Sequence, residues 1–276
     1  MIMDISNLTR KKIEELLEKG KRLDGRNIFD FRDLEIEKNI SINAESSVKV
    51  KLGETIVLVG AKFELSKPYP DSLDEGVMIT TAELSPLASE NFELGPPRIN
   101  AIELARIVDR GIRESEFINW KKLCLKEGES VWTILLDIYP LNDSGNLIDA
   151  AAIGAVIALK DAVLPKIKEK EDGGFEVDFK AEFSKNKLPL SHNIPVTLTF
   201  RKIGDKIILD PTILEEEASS ARLSLALTLN DKQESVINAL QKGGAEPLSK
   251  EDLDFILDSA DKESKKLRKL IEKFLK

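Results

Sequence analysis

Residues 149–162 limit most strongly what this chain can fold into. The stretch Asp149-Ala150-Ala151-Ala152-Ile153-Gly154-Ala155-Val156-Ile157-Ala158-Leu159 is nearly all apolar and made of small side chains. It reads as a helix. A helix that is apolar all round must be packed on most sides. The purely apolar part, 150–159, has ten residues, well short of the roughly 20 that a membrane crossing needs. The packing must therefore come from the rest of the protein. A chain of 276 residues is long enough to supply it without disulfide or metal staples.

The surrounding sequence alternates between strand and helix signals. Residues 6–20 carry Leu8, Ile13, Leu16 and Leu17 among Lys and Glu, the pattern of a short amphipathic helix stopped at Gly20. A charged turn follows at Lys21-Arg22-Leu23-Asp24-Gly25-Arg26. Residues 47–52 alternate, Gly53-Glu54 turns, and 55–65 are β-branched and apolar, so the pair reads as a hairpin. Residues 78–84 are a further strand. Gly95-Pro96-Pro97 is a hard stop before a helix over 99–117, with Ile102, Ala105, Val108, Asp109 and Ile112 on one side. Residues 131–139 read as a buried strand ended by Pro140 and the turn Asn142-Asp143-Ser144-Gly145.

Residues 165–188 are charged and broken at Gly173-Gly174, as expected of an exposed connector that is partly strand. Strands resume at 196–201, 206–210 and 222–229, with a tight turn at Gly204-Asp205. The chain closes on a helix over 249–274. Its Ser249 and Asp252 have capping-box spacing, and Leu253, Ile256, Leu257, Ala260, Leu267, Leu270, Ile271 and Phe274 form its apolar stripe. Each half thus begins with strand pairs and ends with helix. The expectation is an α+β protein with a loose internal duplication: an N-terminal helix (1–20), a first half (21–165), a connector (166–188) and a second half (189–276).

Several chemistries are short of residues. Cys124 is the lone cysteine, so neither an internal disulfide nor a cysteine zinc site can form. His192 is the lone histidine and sits in a loop-like Pro189-Leu190-Ser191-His192-Asn193 setting. There is no Walker or Rossmann glycine loop, and no basic-then-apolar leader at the N-terminus. The reading is a soluble, cytoplasmic protein. With 41 Lys and Arg against 49 Asp and Glu the formal charge is −8, which argues against a simple polybasic nucleic-acid binder and leaves room for a local basic patch.

Three constellations and two aromatic residues remain. Arg106, Arg110 and Arg113 stand at i, i+4 and i+7 on one helix, a spacing able to grip successive phosphates of a single strand. The same residues suit a solvated face laced by Glu103–Arg106, Asp109–Arg113 and Arg110–Glu114 pairs. Asp210, Glu215, Glu216 and Glu217, with Asp231 nearby, suit either a Mg²⁺ site or, more commonly, a solvated loop. The turn from Gly145 to Asp149 is placed as an anion site at a helix N-terminus. Its residues are wrong for one: it offers no Arg, Lys, Ser or Thr, and Asp149 reads as an N-cap. Trp120 and Trp132, taken as exposed, could stack on bases, although both lie in or beside strand-like runs that favour a structural role.

On these residues a resemblance stands out. Gly20-Lys21-Arg22-Leu23-Asp24-Gly25-Arg26, Val50-Lys51-Leu52-Gly53-Glu54-Thr55-Ile56-Val57-Leu58-Val59-Gly60, Leu94-Gly95-Pro96-Pro97, Ala101-Ile102-Glu103-Leu104-Ala105-Arg106-Ile107-Val108-Asp109-Arg110 and Ile208-Leu209-Asp210-Pro211-Thr212 resemble, in order, the RNase PH family. More narrowly, they resemble the non-catalytic RNase PH-like subunit of the archaeal exosome core. The resemblance implies an RNase PH-like fold (ribosomal protein S5 domain 2-like) with two related βαβα-type halves. It implies a heterodimer with the catalytic RNase PH-like subunit, three such pairs in a hexameric ring around an RNA channel, and RNA-binding cap subunits. The assembly degrades single-stranded RNA 3′-to-5′ with phosphate.

Active members of the family carry an Arg-Arg pair where this chain has Ile99-Asn100. They carry an Arg-Ser type phosphate pair where it has Ile148-Asp149. They place two aspartates where it has Glu217 and a position near Leu223. Without a phosphate pocket the nucleophile has no counter-charge. The resemblance therefore implies a chain with no catalytic residues and no metal or cofactor of its own; phosphate, and any Mg²⁺ the reaction uses, bind on the catalytic partner. What it retains is Arg106 and Arg110 as RNA-binding residues, with Arg113 structural. The alternative is an autonomous phosphate-dependent 3′-5′ exoribonuclease or nucleotidyltransferase.

Overall fold

A computed structural model describes residues 5–170, 174–178 and 186–275. The first helix, α1 (Asn7–Glu18), is capped by Ser6, whose hydroxyl accepts from the Thr9 amide. It buries Ile13 and Leu17 against Ile203, Ile208 and Ala218 of the second half. The strands β1 (Leu34–Lys38), β2 (Ser46–Leu52), β3 (Thr55–Ser66) and β4 (Val77–Ala82) follow. Then come α2 (Ile99–Arg113), a 3-10 turn (Trp120–Leu123), β5 (Cys124–Lys126), β6 (Ser130–Asn142) and α3 (Leu147–Asp161). These strands make one sheet in the order β1-β2-β3-β6-β4, with β5 on β6.

The expected hairpin is present as β2–β3, antiparallel from Ser46↔Ala61 to Leu52↔Thr55. β4 instead runs parallel to β6, so α2 lies in the crossover between them. Two boundaries differ from expectation. Pro140 does not end β6: it pairs with Val57 beside a bulge, where a missing N–H is tolerated. α2 stops at Arg113 rather than 117, and Glu116 then takes a positive φ of 52° as the chain turns.

The connector holds a small hairpin, β7 (Ile167–Glu169) with β8 (Phe175–Val177); the expected break at Gly173-Gly174 falls partly outside the described residues. The second half comprises β9 (Val196–Ile203), β10 (Lys206–Leu209), α4 (Ile213–Ala218), β11 (Ala221–Leu229), β12 (Ser235–Gly243) and α5 (Lys250–Phe274). Its sheet runs β10-β9-β11-β12, all antiparallel. α5 has the expected Ser249–Asp252 capping box and buries Ile256, Ala260, Leu267 and Ile271; Leu253, expected on the same stripe, is exposed.

The two helices α2 and α3 lie side by side between the sheets. α3 packs on β2 and β3 on one side and on β9 on the other, while α2 packs on β4 and on β11 and β12. With α2 and α5 on its flanks as well, α3 is covered on every side, which is why it is apolar all round. The same cover explains Gly154: an added Cβ would lie 2.7 Å from Val59 and 3.0 Å from Val50. Trp132 is buried in the core against Phe63, and Trp120 is half-buried under Arg113, so neither ring is free to stack on a base. Among the described residues no helix is long and apolar enough to cross a membrane.

Candidate nucleic-acid interface

A groove of about 380 Å³ runs between α2 and the β11–β12 hairpin, with Ile102, Glu103, Arg106, Arg110, Ser224 and Leu240 among its lining. Arg106 and Arg110, one helical turn apart, are both exposed and face it. Ile102, expected on the packed side of α2, is 45% exposed and lines the groove as well. Arg110 makes the expected surface pair with Glu114, at 3.1 Å.

Arg106 makes no ion pair among the described residues; Glu103, three residues before it, bonds to Arg222, with Nη2 donating to Oε1 at 2.6 Å. Arg113 leaves the stripe. Its guanidinium donates to both Asp109 carboxylate oxygens at 3.0 Å and to the Met78 carbonyl at 2.9 Å. It also stacks 5.5 Å above the Trp120 ring. Two arginines, not three, therefore point at the groove.

The second candidate lies at the N-terminus of α3. Gly145 has a φ of 90°, and a Cβ there would come within 2.5 Å of the Thr212 backbone, so this turn is stacked flat on residues 211–213. The N-cap is Asn146, in the left-handed region, and not Asp149. Asp149 is the third residue of the helix and is fully buried. Its carboxylate accepts from Asn146 Nδ2 at 2.9 Å, from the Thr199 amide at 3.0 Å and from Thr199 Oγ1 at 2.8 Å. Burial pushes its carboxyl up to about 7 against these hydrogen bonds, with the nearby Asp210 charge adding to the rise.

Glu216 completes the closure: its Oε1 accepts from the Asn146 amide at 3.2 Å and from Arg201 at 2.9 Å. Ile148 is buried and apolar. The chain's own acidic side chains thus sit where the positive end of the helix would otherwise receive an anion. Asp143 beside the turn is likewise raised to about 6, by burial and then by the Glu216 charge, against a bond from the Gly145 amide.

The acidic run is neither a solvated loop nor an open cluster. Asp210 and Glu215 are buried, and 213–218 form α4. Arg22 grips both Glu215 oxygens and donates to the carbonyls of Leu209 and Asp210 at 2.8 Å. Arg26 and Arg32 bind the Asp210 carboxylate at 2.8 Å and 2.7 Å. Burial alone would raise the Asp210 pKa, yet Arg32 holds it below the usual carboxylate range. Arg32 also donates to the carbonyls of Ser144 and Gly145, at 3.0 Å each.

Glu217 is only half-buried, with burial and the charges of Glu216 and Glu90 raising its pKa. Leu223 is buried, and Asp231 lies exposed in the β11–β12 turn. Among the described residues no three His, Cys, Asp or Glu side chains converge as a metal site. His192 sits exposed in a bend, as expected of a loop histidine.

Comparison with known proteins decides the family. Domain 1 of the 3′ exoribonuclease family, RNase PH, matches residues 30–165, and domain 2 matches residues 193–263. The chain belongs to the RNase PH family. It is 45% identical to the exosome complex component Rrp42 of Thermococcus kodakarensis, over 99% of this chain and 96% of that protein. It is 43% identical to the component of the same name from Methanosarcina acetivorans, over 96% and 94%. Among solved structures it is similar to a chain of the Archaeoglobus fulgidus exosome with RNA bound to the active site (TM-score 0.82, 40% identity, 97% and 98% covered). A chain of an archaeal exosome core gives a TM-score of 0.79 at 36% identity, with 96% and 97% covered.

Within the RNase PH fold, two segments that carried the resemblance turn out to meet. The turn at 20–26 supplies Arg22 and Arg26, and the stretch 208–212 supplies the Asp210 that they hold. Sequence reasoning missed Thr199 and Arg222, and it singled out Glu216 without its role in closing the turn. Glu216 lay inside the acidic run already singled out, and Arg222 opened a strand already identified. Thr199 gave no signal, because its partner Asp149 is 50 residues away.

Proposed function

We propose that this chain is a ring subunit of an archaeal-type exosome that grips RNA and leaves the chemistry to a partner. The observation that carries this reading is the contrast at the two candidate sites. The α3 N-terminus is closed on Asp149 and Glu216, whereas Arg106 and Arg110 stand open beside a groove. Phosphorolysis needs a bound phosphate as nucleophile and positive groups to hold it. Here the corresponding place is filled by carboxylates, with Ile148 and Asp149 at the positions of the phosphate pair. Arg106 and Arg110 can each donate to a phosphate oxygen of single-stranded RNA.

In this reading the chain pairs with a catalytic RNase PH-like subunit, three pairs form a ring, RNA-binding cap subunits cover one face, and the assembly works in the cytoplasm. The relatives' identity as exosome components over nearly the whole chain supports it.

The test is phosphorolysis of oligo(A). The purified chain alone releases no ADP from oligo(A) and phosphate; the chain mixed with its catalytic partner does. ADP release by a partner-free preparation would falsify the non-catalytic reading and favour the autonomous exoribonuclease. Arg106→Glu with Arg110→Glu in the assembled complex lowers RNA affinity while the ring stays intact. Unchanged affinity and turnover would make the chain a scaffold only.

A further inference from the structure

We propose that Arg222 is a positioning residue for the RNA grip: by holding the Glu103 carboxylate, it keeps Arg106 free to meet a phosphate of single-stranded RNA. This rests on the function proposed above. Glu103 and Arg106 are three residues apart on α2, within reach of each other on a helix surface. Left alone, Glu103 is the natural partner of Arg106. It is instead bonded across the groove wall to Arg222, with Nη2–Oε1 at 2.6 Å and Nη1–Oε2 at 3.3 Å.

The competition is settled by burial and geometry. The Arg222 side chain is only 9% exposed, whereas Arg106 stands in solvent. A two-pronged guanidinium–carboxylate pair, partly removed from water, outcompetes an exposed one. The fold makes room for it. Gly243 sits opposite Arg222 in the β11–β12 register, and a Cβ there would approach Nη2 to 2.8 Å and Cζ to 2.9 Å. A glycine inside a strand here serves the passage of a side chain.

The consequence is a groove whose one acidic lining residue is neutralised from behind. Without Arg222, Glu103 turns to Arg106 and adds its charge to the place a phosphate would occupy.

The experiment measures binding of fluorescently labelled oligo(A) to the assembled ring, catalytic partner included, without phosphate. In the native background Arg106→Gln weakens binding about tenfold. Arg222→Gln also weakens it, and in that background Arg106→Gln adds little. Glu103→Gln placed on Arg222→Gln restores both the affinity and the full cost of Arg106→Gln. Gly243→Ala, which displaces the guanidinium and leaves every charge in place, weakens binding in the same direction.

If the costs of Arg106→Gln and Arg222→Gln simply multiply, Arg222 acts as bulk charge and the inference is overturned. If Arg106→Gln has no effect in the native background, the RNA grip itself fails, and this inference with it. Should Arg222→Gln not assemble, Gly243→Ala decides: native affinity in that variant overturns the proposal.

Discussion

α2 and α3 are the same length, fifteen residues each, and lie against each other in one layer. In α3 twelve residues are buried, because α2 and α5 flank it in addition to the sheet on each side. It has no face left for a ligand, and even its N-terminus is satisfied from within. In α2 seven are buried, and the remaining face carries Ile102, Arg106 and Arg110 to the groove. The difference teaches where this fold can place binding residues. A helix at the centre of the layer is committed to packing, and a site at its tip survives only if the tip stays open. A helix at the edge keeps one face free to change.

The comparison can be broken most directly by truncating one isoleucine on each helix. Ile157→Ala in α3 should cost about 2–5 kcal/mol of unfolding free energy, since Ile157 is fully buried. Ile102→Ala in α2 should stay within about 0.5 kcal/mol. Urea melts of the two variants test this, and equal costs would refute the closer cover of α3.

The next effect is a pH dependence. Asp149 titrates at about 7 in the folded chain against a usual 3.8. Between those values the folded state holds a proton that the unfolded chain has lost. The stability this group contributes is thus complete below about pH 4, falls as pH rises, and is gone above about 7. Asp149→Asn removes that slope, so its stability relative to the native chain should climb with pH by up to about 1.4 kcal/mol per unit. Melts at pH 4, 5, 6 and 7 giving a constant difference would show that the buried carboxyl is not the titrating group.

The smallest effect on the fold comes from the open face. Arg106→Gln with Arg110→Gln should move stability by less than about 0.5 kcal/mol. In the assembled complex it should flatten the salt dependence of oligo(A) binding by roughly 0.7 per lost phosphate contact. An unchanged salt slope would mean that neither arginine meets a phosphate.

Much of the architecture was legible along the chain. The apolar run at 150–159 required a helix packed on most sides, and Ser249 with Asp252 marked the start of α5. What failed was local reading of residues whose partners are distant. Asp210 and Glu215 looked solvated because Arg22, Arg26 and Arg32 lie more than 170 residues earlier. Asp149 looked like an N-cap because Thr199 on β9 is not visible from its neighbours. β12 was missed because its apolar residues fall in adjacent pairs, Val236-Ile237 and Ala239-Leu240, rather than alternating with polar ones. Of the groove, Arg106 and Arg110 were visible from helical spacing and Arg113 was read as structural beside Asp109, while Ile102 was misplaced because spacing alone does not tell which face a neighbour covers.

The clamp between Arg22 and Glu215 also imposes an order of assembly. Residues 7–32 leave the ribosome well before residues 209–215, yet α1 rests on α4 and β10, and Arg22, Arg26 and Arg32 close on that later stretch. Until that later stretch has emerged, α1, Arg22 and Arg26 lack the partners that hold them, and Arg32 has only Thr55, Ser144 and Gly145. An early-made segment is therefore among the last to be locked, and a nascent chain stalled before residue 209 would carry a loose, protease-sensitive stretch over residues 7–26.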